Sequence, residues 1–533
     1  MVRSQSFSQS PKASRDRLRF VCDLLLITLG AISTSCSLAP PSCGPSADAA
    51  ASWTVAGNDL HNTRFQCAES LIGPANVGDL ETKWVTPVGG DVSATPTTDG
   101  ITVYFPDWAN NLNALNAETG ETVWRKPIST YDNLPASCRT SPVIVDNGAA
   151  LIIGDRIAFP GGPGASVIKV DAKTGERIWI TNVDNHPASQ VSASAAVVDS
   201  VIFVTVSSSE EAFAFDANYP CCTFRGSVVA LDETTGTILW RTYMVPDNNG
   251  LPNQYSGGAI WGSTPMVDRQ RRLVYVGTGN NYSVPHEVAA CQLLLSEDPT
   301  CIDPENRIDS VVALDIASGA VRWTFHTRFS DIVTNGCSIG VNCVSPQGPD
   351  QDFAQGPVFV QGSAGALVFA GNKSGMGYAL NPDTGALIWS TQPGMGMMWG
   401  SATDNKRIYV ANRVSLDGEF GSWSALDPIT GKILWTTSDP GRSESLVRAI
   451  APVTVANGVV YAASTNASGA TMFGLDAENG EILFSFNSGT PVGGGPAVAN
   501  GVVYWGSGYP PYNHNRGSKG IFAFHLPHQG NRE

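Results

Sequence analysis

Ala230-Leu231-Asp232-Glu233-Thr234-Thr235-Gly236-Thr237-Ile238-Leu239-Trp240 is the stretch on which the reading of this chain turns. The small and apolar residues on either side suit a pleated, buried ribbon. Between them lies a four-residue turn closed by Gly236, where the backbone needs φ > 0. The phrase recurs, ending at Trp124 (ALNAETGETVW), Trp179 (KVDAKTGERIW), Trp323, Trp389, Trp435 and Phe484, with a degenerate copy (VGDLETKW) at Trp84. Apolar strands with turn signals, such as SPVIVDNGAALIIG and VTVANGVVYAAS, fill the gaps. Eight strand–turn–strand copies predict an all-β fold, an eight-bladed β-propeller with tryptophan-docking repeats. Its ring would close where the C-terminal strands meet the N-terminal segment.

The spacing of the copies is uneven. Their ends lie 40, 55, 61, 83, 66, 46 and 49 residues apart, against roughly 40–50 for a four-stranded blade. The three longest intervals are consecutive, from Trp179 to Trp389. Repeat folds carry insertions in loops on one face, often the binding face. The functional residues are therefore expected in the middle third.

Composition sets the class. Of 533 residues 42 % are hydrophobic and 15 % charged, enough for a large core, and 55 Gly with 34 Pro imply many turns. No stretch has the length and strength of a helix period. Lys12, Arg15, Arg17 and Arg19 precede an apolar run over residues 24–32, followed by Ala47-Asp48-Ala49. This reads as a cleaved signal peptide over residues 1–49, with 50–533 as a single propeller domain exported to the periplasm. The run is too short to span a bilayer, so no transmembrane segment is expected in the mature chain. Cys36 lacks the usual leucine of a lipoprotein box, which makes lipid anchoring the lesser expectation. Cleavage removes five Lys/Arg and three Asp/Glu and takes the net charge from −15 to −17. Such a protein has no electrostatic reason to bind nucleic acid. Eight cysteines remain, an even number that suggests disulfides in an exported protein. Cys291–Cys301 and Cys337–Cys343 would close short loops. Cys221 and Cys222 either pair with each other or find partners in Cys67 and Cys138.

Six short motifs carry the chemistry. Pro349-Asp350-Gln351-Asp352-Phe353-Ala354-Gln355-Gly356-Pro357 sets two carboxylates two apart between prolines. Ser207-Ser208-Ser209-Glu210-Glu211 ends the strand VIFVTV, and Gly277-Thr278-Gly279-Asn280-Asn281 follows RRLVYV. The others are Trp261-Gly262, Lys373 within GNKSG, and Arg139 within CRTSP. Each alone would pass for a solvated loop or a core residue.

Together with the repeat, these motifs resemble the quinoprotein alcohol dehydrogenases, which bind pyrroloquinoline quinone (PQQ) in an eight-bladed propeller. The resemblance implies that Asp352, in its Asp-aromatic-Ala context, is the catalytic base and a metal ligand. Ala354 stands where lanthanide-using relatives have a second aspartate, which implies Ca²⁺. Glu210 and Asn280 are the other implied metal ligands. Arg139, Ser207, Trp261 and Lys373 are the implied cofactor-binding residues, with Trp261 as a flat floor and the cations beside PQQ carboxylates and quinone oxygens. A one-residue shift would choose Ser208 and Glu211 instead of Ser207 and Glu210. The vicinal cysteines lie in YPCCTFRG rather than shortly before Arg139, so their role in methanol-type members is not carried over. NTRFQ, SSSEE followed by PCCTFRG, and GPDQDFAQGP are most similar to the subgroup acting on polyvinyl alcohol. The expected reaction is oxidation of secondary alcohol groups to ketones. The chain contains no Cys-x-x-Cys-His for covalent haem, so electrons are expected to leave to a separate carrier, a soluble cytochrome c. Two other readings are a PQQ dehydrogenase of small alcohols and a cofactor-free scaffold of the outer-membrane assembly type. The joint match of six positions disfavours the second.

Overall fold

Each blade is built from four antiparallel strands. In the blade that carries the opening stretch these are Ala196–Val198, Val201–Ser208, Ser227–Asp232 and Ile238–Tyr243, from the channel outward. Seven further sheets of the same kind have innermost strands beginning at Thr97, Val143, Met266, Val358, Ala402, Thr454 and Ala497. The expected eight-bladed propeller is therefore observed in this computed structural model. It describes residues 51–134, 136–156, 162–416, 418, 420–441, 448–466, 469–510 and 519–527. The expected signal peptide and Cys36 lie outside the described residues. The last blade takes its outer strand from the other end of the chain. Glu81–Thr86, the degenerate first copy, pairs antiparallel with Ile521–His525 and closes the ring.

The repeat is a docking device. The Trp240 ring lies against Gly319 of the next copy, where a Cβ would come within 2.5 Å of the indole. Gly319 also has φ 69°, so only glycine fits on both counts. The Trp240 indole N–H donates to Ile316 O at 3.0 Å. Among the described residues seven such junctions follow in order, from Trp84 to Ala117 O through Trp435 to Ala477 O. At the eighth, where the ring closes, Phe484 has no N–H and packs on Phe524 instead, with ring centroids 5.8 Å apart.

Residues 53–66 form a strap along the inner edges of the blades. Trp53 pairs with Thr98. Carbonyls of Thr54, Leu60, His61, Thr63 and Arg64 accept from Ile144, Val267, Phe359, Thr403 and Val455 at 2.7–3.0 Å. Phe65–Gln66 add a parallel strand beside Thr454–Ala456, and Gln66 Nε2 donates to Val498 O. The strap thus bonds to the innermost strands of seven blades.

In a four-stranded blade the second strand returns to the face the first one left. Loops after the second strand and after the fourth therefore open on one face, and the repeat turns lie on the other. The long intervals are explained by insertions of the first kind, including residues 209–226, 284–309 and 327–357. They hold short helical turns and one longer element that the sequence does not show, the helix His286–Leu294. Its apolar residues are split between a buried side (Val288, Ala289) and water, so no stripe is legible. Disulfides join Cys291–Cys301 and Cys337–Cys343, as expected, and Cys221–Cys222, the vicinal alternative. Cys67 is also disulfide-bonded, whereas Cys138 is a buried free thiol that burial pushes up to about 11.

Candidate active site

Asp352 lies on the insertion face with its side chain 2 % exposed. Its Oδ1 accepts from the Asn280 backbone N–H at 2.8 Å. Its Oδ2 accepts from Trp261 Nε1 at 2.8 Å and pairs with Lys373 Nζ at 2.8 Å. Gly279 makes room, since a Cβ there would lie 2.8 Å from Oδ1. Lys373 Nζ also bonds Asp350 Oδ1 at 2.6 Å and sits 5.0 Å from the centre of the Trp261 ring. Burial pulls the Lys373 amine down, but Asp352 and Asp350 more than offset this and hold it above the usual lysine range. Four expected positions from four separate loops, Trp261, Asn280, Asp352 and Lys373, thus meet in one cluster.

Asn280 is fixed by its Nδ2, which donates to Asn281 O at 2.6 Å and Val333 O at 2.8 Å. Its Oδ1 is left to accept. The loop carrying Asp352 is held from behind by Asp331, whose carboxylate accepts from the backbone N–H of Asp350 at 3.1 Å and Gln351 at 2.8 Å. Beneath it Asp309 is fully buried, and burial followed by the Asp331 charge pushes its carboxyl well above the usual range.

The glutamate pair corrects one expectation. Glu210 is turned into the protein, where Oε1 accepts from Tyr219 Oη at 2.9 Å and Thr223 N at 2.8 Å, and Oε2 from Phe224 N at 2.9 Å. It pins the loop that follows Cys221–Cys222. Glu211 faces the cluster instead. Burial and then the Asp352 charge push its carboxyl up to about 8. Ser207 is likewise displaced from the expected role. Its hydroxyl is fully buried, bonds Ser192 Oγ at 2.6 Å and donates to Gln190 O. Ser192 in turn donates to Trp261 O at 2.9 Å, so Ser207 touches the floor tryptophan only through another residue. Of the alternative pair, Glu211 is on the site side, while Ser208 Oγ accepts from the Glu210 backbone N–H at 2.7 Å.

Arg139 lies in the wall of a central cavity of about 70 Å³, shared with Ser141, Ser192, Thr264 and Trp399. Its guanidinium stacks 4.2 Å from the Trp399 ring centre, and that ring meets Trp261 edge-on at 5.1 Å. No carboxylate lies in this wall among the described residues, so the half-buried cation has room for an anionic ligand. The sequence reading did not single out Trp399. The signal was present, for Trp399-Gly400-Ser401 repeats Trp261-Gly262-Ser263 just ahead of an innermost strand. Trp399 also has φ 65°, a strained value for a bulky residue and typical of functional sites.

Comparison with known proteins agrees with this geometry. A quinohemoprotein alcohol dehydrogenase, ADHIIG, from Pseudomonas putida superposes with a TM-score of 0.67 at 16 % identity, over 90 % of this chain and 81 % of that one. The quinohemoprotein alcohol dehydrogenase from Comamonas testosteroni gives 0.65 at 17 %, over 90 % and 82 %. The fold is thus that of the quinoprotein propellers. Residues 53–335 match the family described as glucose/ethanol/alcohol dehydrogenase, beta-propeller domain. Residues 307–465 and 372–509 match outer membrane protein assembly factor BamB. Polyvinylalcohol dehydrogenase from Sphingopyxis sp. (strain 113P3) is 31 % identical over 524 residues, 89 % of this chain and 75 % of the relative. Its namesake from Pseudomonas sp is 30 % identical over 496 residues, 86 % and 73 %. The chain belongs to the PQQ-dependent quinoprotein alcohol dehydrogenase family. With that membership come PQQ as cofactor and an alcohol as substrate. Among the described residues no helix is long and apolar enough to cross a membrane.

Proposed function

We propose that this dehydrogenase oxidises secondary hydroxyl groups of a polymer such as polyvinyl alcohol to ketones in the periplasm, using PQQ with Ca²⁺ and passing electrons to a soluble cytochrome c. The relatives' names support the substrate, and the N-terminal export pattern supports the compartment. The observation that carries the mechanism is the way Asp352 is held. Three donors from three loops orient one carboxylate beside an aromatic floor and a lysine. So placed, it can accept the proton of an alcohol as general base.

The residues present fit both groups. PQQ carries three carboxylates, and Arg139 is a half-buried cation in a carboxylate-free wall. Trp261 offers a flat face with Lys373 beside it. Ca²⁺ takes oxygen ligands, and Glu211, Asn280 Oδ1 and Asp352 would hold it. Among the described residues no ready cage of three His, Cys, Asp or Glu exists, so this set depends on the asparagine. PQQ, when bound, would supply the redox chemistry as the two-electron acceptor. Lys373 keeps its proton beside Asp352 and Trp261 and would be the cation at the bound cofactor, and Asp331 holds the loop that aims Asp352.

The test is reconstitution of the purified protein with PQQ and Ca²⁺, followed by dye reduction with polyvinyl alcohol, 2-hexanol and ethanol. Turnover on the polymer and 2-hexanol above ethanol is expected. Ethanol as the preferred substrate would favour a small-alcohol enzyme, and no turnover on any of the three would favour a scaffold. Asp352→Asn should keep PQQ bound, seen in its absorption spectrum, and lose turnover. Retained dye reduction in that variant would refute the base assignment.

A further inference from the structure

Three consecutive leucines stand in water at the end of the helix His286–Leu294. Leu293, Leu294 and Leu295 are 65 %, 82 % and 52 % exposed. The helix does not need them to fold. Its inner side, Val288 and Ala289, packs on Val245, Tyr255, Ile308 and Ile332. A contiguous apolar patch of this kind on a soluble protein marks an interaction site.

The patch is rigidly mounted, and the insertion that carries it is rooted beside the active site. The Cys291–Cys301 disulfide and the bond from Gln292 Nε2 to Phe329 O at 2.6 Å hold the helix end. The insertion leaves the sheet at Asn281–Ser283, directly after Asn280, and returns through Asn306. Asn281 and Asn306 exchange reciprocal buried amide bonds at 3.1 and 2.9 Å. Asn281 N also donates to Asp331 O. The platform therefore grows from the residues that border Asp352.

Its rim is acidic on balance. Residues 286–305 contain Glu287, Glu297, Asp298, Asp303 and Glu305 and no Lys or Arg. Glu297 is tied to Arg328 and the Phe329 N–H, and Asp298 caps Thr300, whereas Glu287, Asp303 and Glu305 are exposed, the last 3.9 Å from Arg307 just beyond the segment. An apolar centre with an acidic rim complements a surface of apolar centre and basic rim. A neutral polymer could donate hydrogen bonds to the carboxylates but would gain no charge complementarity from them.

We propose that this face docks the electron acceptor, a small basic redox protein whose apolar redox edge is ringed by lysines. The proposal rests on the reading that electrons leave to a separate carrier. Each alcohol oxidised to a ketone releases two electrons and two protons, so two one-electron acceptors are reduced in successive encounters.

The test uses holoenzyme with PQQ and Ca²⁺ and a lysine-rich mitochondrial cytochrome c as the acceptor probe. Leu294→Lys places a cation at the centre of the patch, on a side chain too exposed to affect folding. The double variant Asp303→Lys/Glu305→Lys reverses the rim. Both should lower kcat/KM for the cytochrome about tenfold or more, while dye-linked rates on polyvinyl alcohol and 2-hexanol stay as in the parent protein. The parent rate with cytochrome should fall with added salt, and the rim variant should lose that dependence. Unchanged cytochrome kinetics in both variants would overturn the proposal. So would a dye-linked rate that falls on the polymer but not on 2-hexanol, which would make the patch a polymer site. Dye reduction without any cytochrome reduction by the parent protein would overturn the docking face and leave the dehydrogenase reading intact. Reduction of neither would remove both.

Discussion

Glu210 and Glu211 are separated by the way their carboxylates face: Glu210 is turned into the protein, onto donors that lie away from the cluster, whereas the Glu211 carboxyl feels the charges of Asp352 and Lys373. Glu210 is held by Tyr219, Thr223 and Phe224, so Glu210→Gln should act on stability. The amide cannot accept from all three donors, and a loss of about 2–4 kcal/mol in chemical denaturation is expected. Glu211→Gln should leave stability largely intact and abolish the Ca²⁺ response of reconstitution, read by titrating Ca²⁺ against dye-linked rate. The sequence could not choose between the two neighbours, because the choice is made by a loop that folds back from 9–14 residues further on. Trp261, Asn280, Asp352 and Lys373 were legible because each sits in a short motif fixed to a strand end. A second carboxylate gives a pH signature away from the site. Burial pushes Asp155 up to about 8 from 3.8, with only the Ser166 N–H against its Oδ1. The folded chain then holds a proton that the unfolded chain releases between these values. Stability is complete below about pH 4 and declines as pH rises through about 8. Asp155→Asn keeps an acceptor for Ser166 and removes the charge. Its thermal midpoint should vary less than the parent's between about pH 5 and about pH 8.

The tryptophan–glycine junction is the unit that turns eight ribbons into a ring. Its signal is local, because the turn glycine and the tryptophan of one copy are only four residues apart. This is why the blade count could be read from sequence, and why the stretched spacing could point to the insertion face. The helix His286–Leu294 was hidden because its apolar residues serve two surfaces. Trp399 was hidden because a tryptophan outside the repeat looks like core. The junction can be taken apart in two steps. Trp240→Phe keeps the ring against Gly319 and removes the N–H donated to Ile316 O, which should cost about 1–2 kcal/mol. The Phe484 junction shows that the ring tolerates one such site. Gly319→Ala adds a Cβ 2.5 Å from the indole at a residue with φ 69°, and should cost about 2–4 kcal/mol. If urea denaturation ranked the two variants in the opposite order, the glycine would not be the tighter constraint.

A closed propeller leaves no free sheet edge, but its first and last blades meet only if the two ends of the chain are brought together. One closure is the pairing of Glu81–Thr86 with Ile521–His525. The other is the strap of residues 53–66, which ties the inner strands of six blades through its own carbonyls and a seventh through the Gln66 side chain. Because backbone atoms make nearly all of those bonds, no side-chain pattern announced them, and NTRFQ was legible only as a family likeness. Arg64 is the strap's main side-chain anchor. Its Nε donates to Val453 O, Nη1 to Ala56 O and Nη2 to Thr95 Oγ1, all at 2.8–2.9 Å. Burial lowers its pKa to about 9, so it remains charged at neutral pH. Val453 and Thr95 lie just ahead of the innermost strands beginning at Thr454 and Thr97, on either side of the blade completed by Glu81–Thr86. Arg64 therefore bridges the seam where the ring closes. Arg64→Met keeps the length of the side chain and leaves two carbonyls and a hydroxyl without a donor. The expected loss is about 3–5 kcal/mol. Repeat arrays lose cooperativity when a nearest-neighbour interface weakens, so the thermal transition followed by tryptophan fluorescence should also broaden as the seam opens before the blades unfold. An unchanged midpoint with an equally sharp transition would show that strand pairing alone closes the ring and that the strap merely lines it.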